Sequence, residues 1–356
     1  MTEASLHKIR HAELKDFVNS EEYRRFGQKP LSKERIASHL ANPNARDEDY
    51  ILYYLKKNGE LIAYRSILPD NYYGKVTEHF GWLSGNWVHP DYRRQGHSGR
   101  LLEAVLRDWD HKLMYSNYAP ESHALYQKSG KFHVISMRRG YGFYLYARPS
   151  RLYRMRAGAF KKLLLPFGDL AFAIAAMCKR LFYRPPAPAF DCTLLKEPNE
   201  TFYREFENRH VLGFERGRRE LEWIIQYPWI KEGGEKQAYY FSHRAGRFYY
   251  RFILMKEQEE TCGFAMLQYR DGRLQVPYFQ LGKGGHEAMA AWLVRYCRRN
   301  FIRQMIIYDP VLSEAVAMHK KQFVYHKSKT QNIYASWQPS GFSPLASDGD
   351  GDYVFS

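Results

Sequence analysis

Val88-His89-Pro90-Asp91-Tyr92-Arg93-Arg94-Gln95-Gly96-His97-Ser98-Gly99-Arg100-Leu101-Leu102 is the stretch whose reading decides the fold. A β-prone segment, Trp82 to Val88, runs into it. A helical pattern of Leu101, Leu102, Val105, Leu106 and Trp109 runs out of it. A strand, a basic glycine-containing turn and a helix make a cradle for phosphate. The turn presents backbone N–H groups, glycine allows close approach, and the helix N-terminus adds partial positive charge. Arg93, Arg94 and Arg100 add full charges. The stretch contains neither the G-x-G-x-x-G of dinucleotide folds nor the Gly-Lys-Ser/Thr of nucleotide P-loops.

Upstream, Leu14, Phe17 and Val18, then Ile36 and Leu40, predict one or two short amphipathic helices within residues 5–40. Tyr50–Leu55 and Leu61–Tyr64 flank Asn58-Gly59, which predicts a hairpin. A strand over Phe80–Val88 then enters the phosphate turn. Downstream come a helix to about Asp110, a strand Lys112–Ser116, and a helix over residues 120–128 closed by Ser129-Gly130. Strands near Phe132–Met137 and Tyr141–Tyr146 complete the set.

The turn resembles the pyrophosphate-binding motif of the GNAT acyltransferase superfamily, V-x-P-x-Y-R-x-x-G-x-G/A-x-x-L-L. Val88, Pro90, Tyr92, Arg93, Gly96, Leu101 and Leu102 match, while His97 and Ser98 depart. Ser98 is small enough to leave the backbone open. Ala124-Leu125-Tyr126-Gln127-Lys128-Ser129-Gly130 is similar to a second family signature, A-L-Y-E-K-x-G-F, with Phe132 one place late. The family's upstream Asn maps to Ala119, with Asn117 two places earlier.

The resemblance implies a donor substrate, acetyl-CoA or another acyl-CoA. Its pyrophosphate would be held by Arg93, Arg94, Gly96, His97, Ser98 and Gly99, and its pantetheine would lie along a splayed strand end at Val88. It also implies Tyr126 as general acid for the departing thiolate. A base is placed on Glu78, at the start of the strand that leads into the turn.

The 356 residues suggest two domains at ~150 residues each. Residues 190–337 repeat the first half's element order: helices near Thr201–His210 and Arg218–Tyr227, strands near Ala238–Phe241 and Phe248–Met255, and a hairpin about Asp271-Gly272. A helix Glu287–Arg298, a strand Met305–Tyr308, a helix Ser313–Lys320 and two last strands follow. The expected fold class is α/β (α+β), with two GNAT-like domains, each a mixed, mostly antiparallel sheet flanked by helices. The expected boundaries are 1–150 for the domain with the acyl-CoA loop, 151–189 for a linker, 190–338 for a degenerate second domain and 339–356 for an acidic tail. The second domain's corresponding turn, Gly282-Lys283-Gly284-Gly285-His286, has glycines but no arginines.

Net charge is +16, more than an anionic donor explains. Arg151, Arg154, Arg156, Lys161 and Lys162 precede the apolar run Leu163–Cys178, and Lys179, Arg180 and Arg184 follow it. That run is short for a bilayer span of ~20 residues. It reads as a helix packed between domains or as an interfacial helix, so residues 151–184 are a candidate contact with anionic membrane. The tail alternates Asp and Gly from Asp348 to Asp352 without an EF-hand pattern. Its default reading is flexible, but Tyr353-Val354-Phe355 suggests docking; the resemblance to tandem GNAT-like enzymes, some of which place the C-terminus near the acceptor, implies Asp350 or Asp352 near an amine. Four scattered cysteines show no metal spacing and fit a cytoplasmic protein, at most peripheral on a membrane.

Acyl transfer from CoA to a primary amine of a small molecule, amino sugar or surface-glycan precursor is the function expected. One alternative is an aminoacyl-tRNA-dependent transferase of the peptidoglycan-precursor type. Another is a non-catalytic basic module on nucleic acid or membrane, although no specific nucleic-acid signature is present.

Overall fold

The computed structural model describes residues 3–116, 120–146, 150, 159–184, 187, 189–208, 213–214, 216–258, 260–341 and 347–356. Asn117, Ala119, Arg151, Arg154 and Arg156 lie outside them. In chain order the first elements are β1 (Ser5–Arg10), α1 (Leu14–Asn19), α2 (Glu21–Arg25), α3 (Lys33–Leu40), β2 (Tyr50–Lys57), β3 (Glu60–Tyr73) and β4 (Thr77–Val88). Next are α4 (His97–Asp108), β5 (Leu113–Ser116), α5 (Pro120–Ser129), β6 (His133–Tyr144), α6 (Ala159–Phe182), β7 (Asp191–Leu195), α7 (Glu200–Glu207) and α8 (Arg218–Gln226). The remainder are β8 (Lys231–Glu232), β9 (Arg244–Ala245), β10 (Phe248–Glu257), β11 (Glu260–Arg270), β12 (Arg273–Leu281), α9 (Gly285–Arg299), β13 (Gln304–Ile307), α10 (Pro310–Ala317) and β14 (Tyr325–Ala335).

These elements form two compact units that interleave along the chain. One comprises residues 1–137, 209–246 and 331–356; the other comprises 138–208 and 247–330. This grouping differs from consecutive boundaries at 150 and 190, for two physical reasons. First, the last strand of each sheet comes from the other half of the sequence. Ile333–Ala335 of β14 pair antiparallel with β5, and Tyr141–Tyr144 of β6 pair antiparallel with β13. Second, residues 213–245 are bonded into the first unit: Tyr73 and Gly213 exchange N–H···O bonds of 2.7 and 3.0 Å, and Trp223 Nε1 donates to the Ser38 carbonyl at 2.8 Å.

In the first unit the sheet order is β1-β2-β3-β4-β5-β14. Asn58 and Gly59, at φ 51° and 83°, make the tight β2–β3 turn that this dipeptide favours. Alternation along β2 sends Tyr53 and Leu55 toward α4 and Leu52 and Tyr54 toward α1 and α2. Leu101, Leu102, Val105 and Leu106 of α4 bury the helix's apolar stripe against the first of these faces. Ser5–Arg10, expected within a helical region, is an edge strand antiparallel to β2. Ala238–Phe241, expected as a strand, makes only an isolated bridge, Lys29 to Tyr239.

In the second unit the order is β6-β13-β12-β11-β10-β7, antiparallel except for β12 beside β13. Asp271 and Gly272 form its hairpin turn with positive φ. Met289, Leu293, Val294 and Cys297 of α9 pack on Ile253, Ala265, Leu274 and Met305. Each unit is thus a mixed, mostly antiparallel sheet flanked by helices.

Candidate active site

The site begins where β4 leaves β5. The two strands pair in parallel only at Gly81–Leu113 and Trp82–Met114. Opposite β3, the register jumps from Ile67–Leu83 to Ser66–Gly85, so Ser84 is a bulge residue. The bulge turns β4 aside. It continues to Val88 along β3, while β5 continues along β14 through Tyr115 and Ser116. Two parallel strands that part in this way leave main-chain edges facing a wedge.

The turn from Val88 to Gly99, expected to hold phosphate, stands at the mouth of that wedge. Pro90–Tyr92 form one 3₁₀ turn, and Gly96 begins α4 in the left-handed conformation, at φ 81°. No side chain caps the helix, and its first turn holds no acidic residue. Its first backbone bond runs from Arg100 N to Gly96 O at 3.0 Å, so the N–H groups of His97, Ser98 and Gly99 precede the helical ladder. A Cβ built on Gly96 or Gly99 would meet nothing within 4 Å. Arg93 and Arg94 are exposed, with Arg93 Nε donating to Val88 O at 3.3 Å. Arg100 is turned away, donating to Ala4 O at 2.7 Å. Burial, helped by Arg100 and Lys57, holds His97 below the usual histidine pKa.

Tyr126 lies at the back of the wedge, fully buried between Tyr115 and Phe132. Its hydroxyl accepts from Arg65 Nη1 at 2.7 Å. Arg65 also reaches Ser98 Oγ at 3.3 Å, Ser98 donates to Asn86 Oδ1 at 3.0 Å, and Asn86 donates to Ser122 Oγ at 3.4 Å. One network therefore joins Tyr126 to the first turn of α4. Arg65 is completely buried, its Nε has no partner, and no carboxylate pairs with it among the described residues. A desolvated cation beside a helix N-terminus is a costly arrangement that an anion would relieve. Sequence reasoning missed Arg65, although a lone arginine inside the apolar run Leu61–Leu68 was the available signal.

Glu78 is placed elsewhere. Its two carboxylate oxygens accept from Trp337 Nε1 at 3.0 Å and Ser340 N at 2.8 Å, near the start of β4. Ten residues of strand at ~3.3 Å each separate it from Val88. The structure does not bring it to the wedge.

The C-terminal tail comes to the opposite face of β4. Phe355 is buried, 5.0 Å from the Trp229 ring and 4.7 Å from Trp223, and its carbonyl accepts from Trp229 N at 2.8 Å. Arg216 donates to the carbonyls of Gly349 and Gly351 and to Asp70 Oδ2, at 3.1, 3.0 and 3.1 Å. Gly351 packs on Trp82, the last β4 residue paired with β5. Residues 347–356 are therefore docked, not a loose acidic tail. Asp352 follows Gly351. Burial pushes its carboxyl up to about 6, against the opposing pull of Arg35 and Arg216. Arg35 itself donates from Nη1 to the bulge residue, to Ser84 Oγ at 2.9 Å and Ser84 O at 3.2 Å, and stacks 3.7 Å over Trp229.

The corresponding turn of the second unit differs. Gly284 begins α9 at φ 72°, but Glu287 occupies the first turn, where its charge opposes an anion. A Cβ on Gly285 would clash with Leu281, so that glycine serves close packing. Among the described residues no group of three or more His, Cys, Asp or Glu could hold a metal.

Comparison with known proteins gives a family match over part of the chain. Residues 7–130 match the model of the acetyltransferase (GNAT) family. A tandem GNAT protein from the clavulanic acid biosynthesis pathway superposes with TM-score 0.52 at 11% identity, covering 95% of this chain and 100% of that one. A probable N-acyltransferase from Enterococcus faecalis gives 0.51 at 10% identity, and a GCN5-related N-acetyltransferase from Anabaena variabilis gives 0.50 at 10%. Each alignment covers 93% of this chain and 72% of the other. At such identities the likeness speaks for the fold. No curated protein sequence matches the chain.

Proposed function

We propose that this chain, a member of the acetyltransferase (GNAT) family through its residues 7–130, transfers an acetyl or longer acyl group from CoA to a primary amine. The acceptor is a small molecule, amino sugar or surface-glycan precursor. The observation that carries this reading is the uncapped, glycine-opened N-terminus of α4 at the mouth of the β4–β5 wedge.

The N–H groups of His97, Ser98 and Gly99 bind the donor's pyrophosphate, and Arg93 and Arg94 add charge from the rim. The edge of β4 up to Val88, freed from β5, pairs with the pantetheine amides and holds the thioester at the bulge. Arg65 supplies the buried positive charge and aims the Tyr126 hydroxyl.

The amine enters from the side of Arg35 and the docked tail. Its nitrogen forms a bond to the thioester carbon, and the carbon–sulfur bond breaks. Asp352 takes the proton that the amine sheds, and Tyr126 gives a proton to the leaving thiolate. The thioester is already activated, so positioning does most of the work. Asp352 replaces Glu78 in this assignment because Glu78 is bound at the other end of the strand.

The test is amine-dependent release of CoA thiol, measured for acetyl-CoA and longer acyl-CoAs against a panel of primary amines. Thiol release with at least one amine, greatly reduced in Tyr126→Phe, is expected. Binding of acyl-CoA without release for any amine would contradict the proposal.

A further inference from the structure

α6, within the second unit, is a 24-residue helix rich in Leu, Phe, Ala, Ile and Met. No residue of it from 165 to 182 is buried. Phe167, Leu170, Ile174, Met177 and Leu181 recur three and four apart, so they line one side. With Phe182 they are 49–78% exposed. An apolar stripe of that extent on a helix surface marks an interaction face.

Its chemistry is set by what lies at its end. Arg180 and Arg184 meet Arg295, Arg298 and Arg299 of α9 around one open pocket. Arg298 is committed, donating to the carbonyls of Arg180 and Tyr183 and so closing the C-terminus of α6. Arg180 stacks 4.0 Å over the exposed ring of Phe301. Among the described residues no carboxylate pairs with any of the five. Guanidinium groups without a carboxylate partner, gathered beside an apolar stripe, complement a surface that is negatively charged above and hydrocarbon below.

We propose that α6 seats the chain on an anionic bilayer. The helix lies in the plane of the surface, its stripe entering the boundary between headgroups and acyl chains. The arginines at its end bind lipid phosphates. Spanning is excluded for this helix, because no described helix is long and apolar enough to cross a membrane. A second copy of the chain fits the face poorly. The sequence is basic at both ends of the helix, with Lys161 and Lys162 in its first turn and Lys179, Arg180 and Arg184 in and just beyond its last, so either mutual orientation sets like charges together. This placement does not depend on the acyl-transfer reading, and it accounts for positive charge that the donor loop leaves unexplained.

The test is flotation of the full chain with phosphatidylglycerol-containing vesicles and with pure phosphatidylcholine vesicles. The wild type should float with the former, and its bound fraction should fall about tenfold with the latter or in high salt. Leu170→Glu with Ile174→Glu, and separately Arg184→Glu with Arg299→Glu, should each abolish flotation. These side chains are exposed, so circular-dichroism melting should stay unchanged. Wild-type protein left unbound by anionic vesicles, or variants that float like the wild type, would overturn the proposal. So would a dimer in light scattering that Leu170→Glu with Ile174→Glu dissociates.

Discussion

Arg65 Nη1 donates to the Tyr126 hydroxyl at 2.7 Å, and both side chains are fully buried. The bond ties a tyrosine of α5 to a strand residue that also touches Ser98, at the first turn of α4. Tyr126→Phe keeps the ring packing and removes the hydroxyl proposed as proton donor. It should lower kcat by ~10²-fold with little change in KM for acyl-CoA. Arg65→Met should lower kcat and also raise that KM, because it removes a buried charge as well. Steady-state kinetics separates the two.

With Asp352 as the proposed base, the proposed acyl transfer has a pH signature. A base with a pKa of about 6 must be ionised, so kcat/KM should rise with pH up to about 6 and then level. Asp352→Asn should lose that acid limb along with ~10²-fold of kcat. The same residue affects stability with a definite sign. Its folded pKa is raised from 3.8, so the folded chain holds a proton that the unfolded chain has lost, and stability falls as pH rises from 3.8 toward about 6. Denaturation at pH 4 and pH 7 should show Asp352→Asn gaining ~1–2 kcal/mol on the wild type over that interval.

Glu78→Gln should leave the pH profile of acyl transfer unchanged. It weakens two charge-assisted bonds, to Trp337 and Ser340, and should cost ~1–2 kcal/mol in urea denaturation.

His39 is buried, stacked 6.4 Å from the Trp229 ring, and pushed down to about 3 by burial, with Arg35 and His11 adding to the effect. A depressed pKa means stability is full above 6.5 and is lost as pH falls toward 3. At pH 5 the loss from this residue should be ~2 kcal/mol. His39→Leu should flatten the fall in stability between pH 7 and pH 5 by that amount, read from urea midpoints.

Local chemistry made the turn before α4 and the hairpins legible. Gly96 at φ 81°, and Asn58-Gly59 and Asp271-Gly272 with positive φ, do what their residue types allow and others resist. The stripe of Leu101, Leu102, Val105 and Leu106 announced α4 by period alone. Ser5–Arg10 carried no comparable signal, because it is a strand only through its partner β2. The strand exchange that closes each sheet was hidden for the same reason: Ile333–Ala335 and Tyr141–Tyr144 find their partners far along the chain. Tyr126 could be read from its signature, but the Arg65 beneath it needed the packed strand. Asp352 gains its character only when Phe355 docks on Trp223 and Trp229, and no local pattern encodes that.

Calorimetric titration of CoA into the wild type and Gly99→Glu bears most directly on the central claim, that the first turn of α4 grips a diphosphate. Gly99 lies inside the helix with open space before it, so the fold tolerates the new side chain while its charge enters the anion site. The account predicts ~µM binding by the wild type and at least a ~30-fold loss in the variant at an unchanged melting temperature. A wild type that does not bind CoA, or a Gly99→Glu protein that binds it equally well, would contradict it.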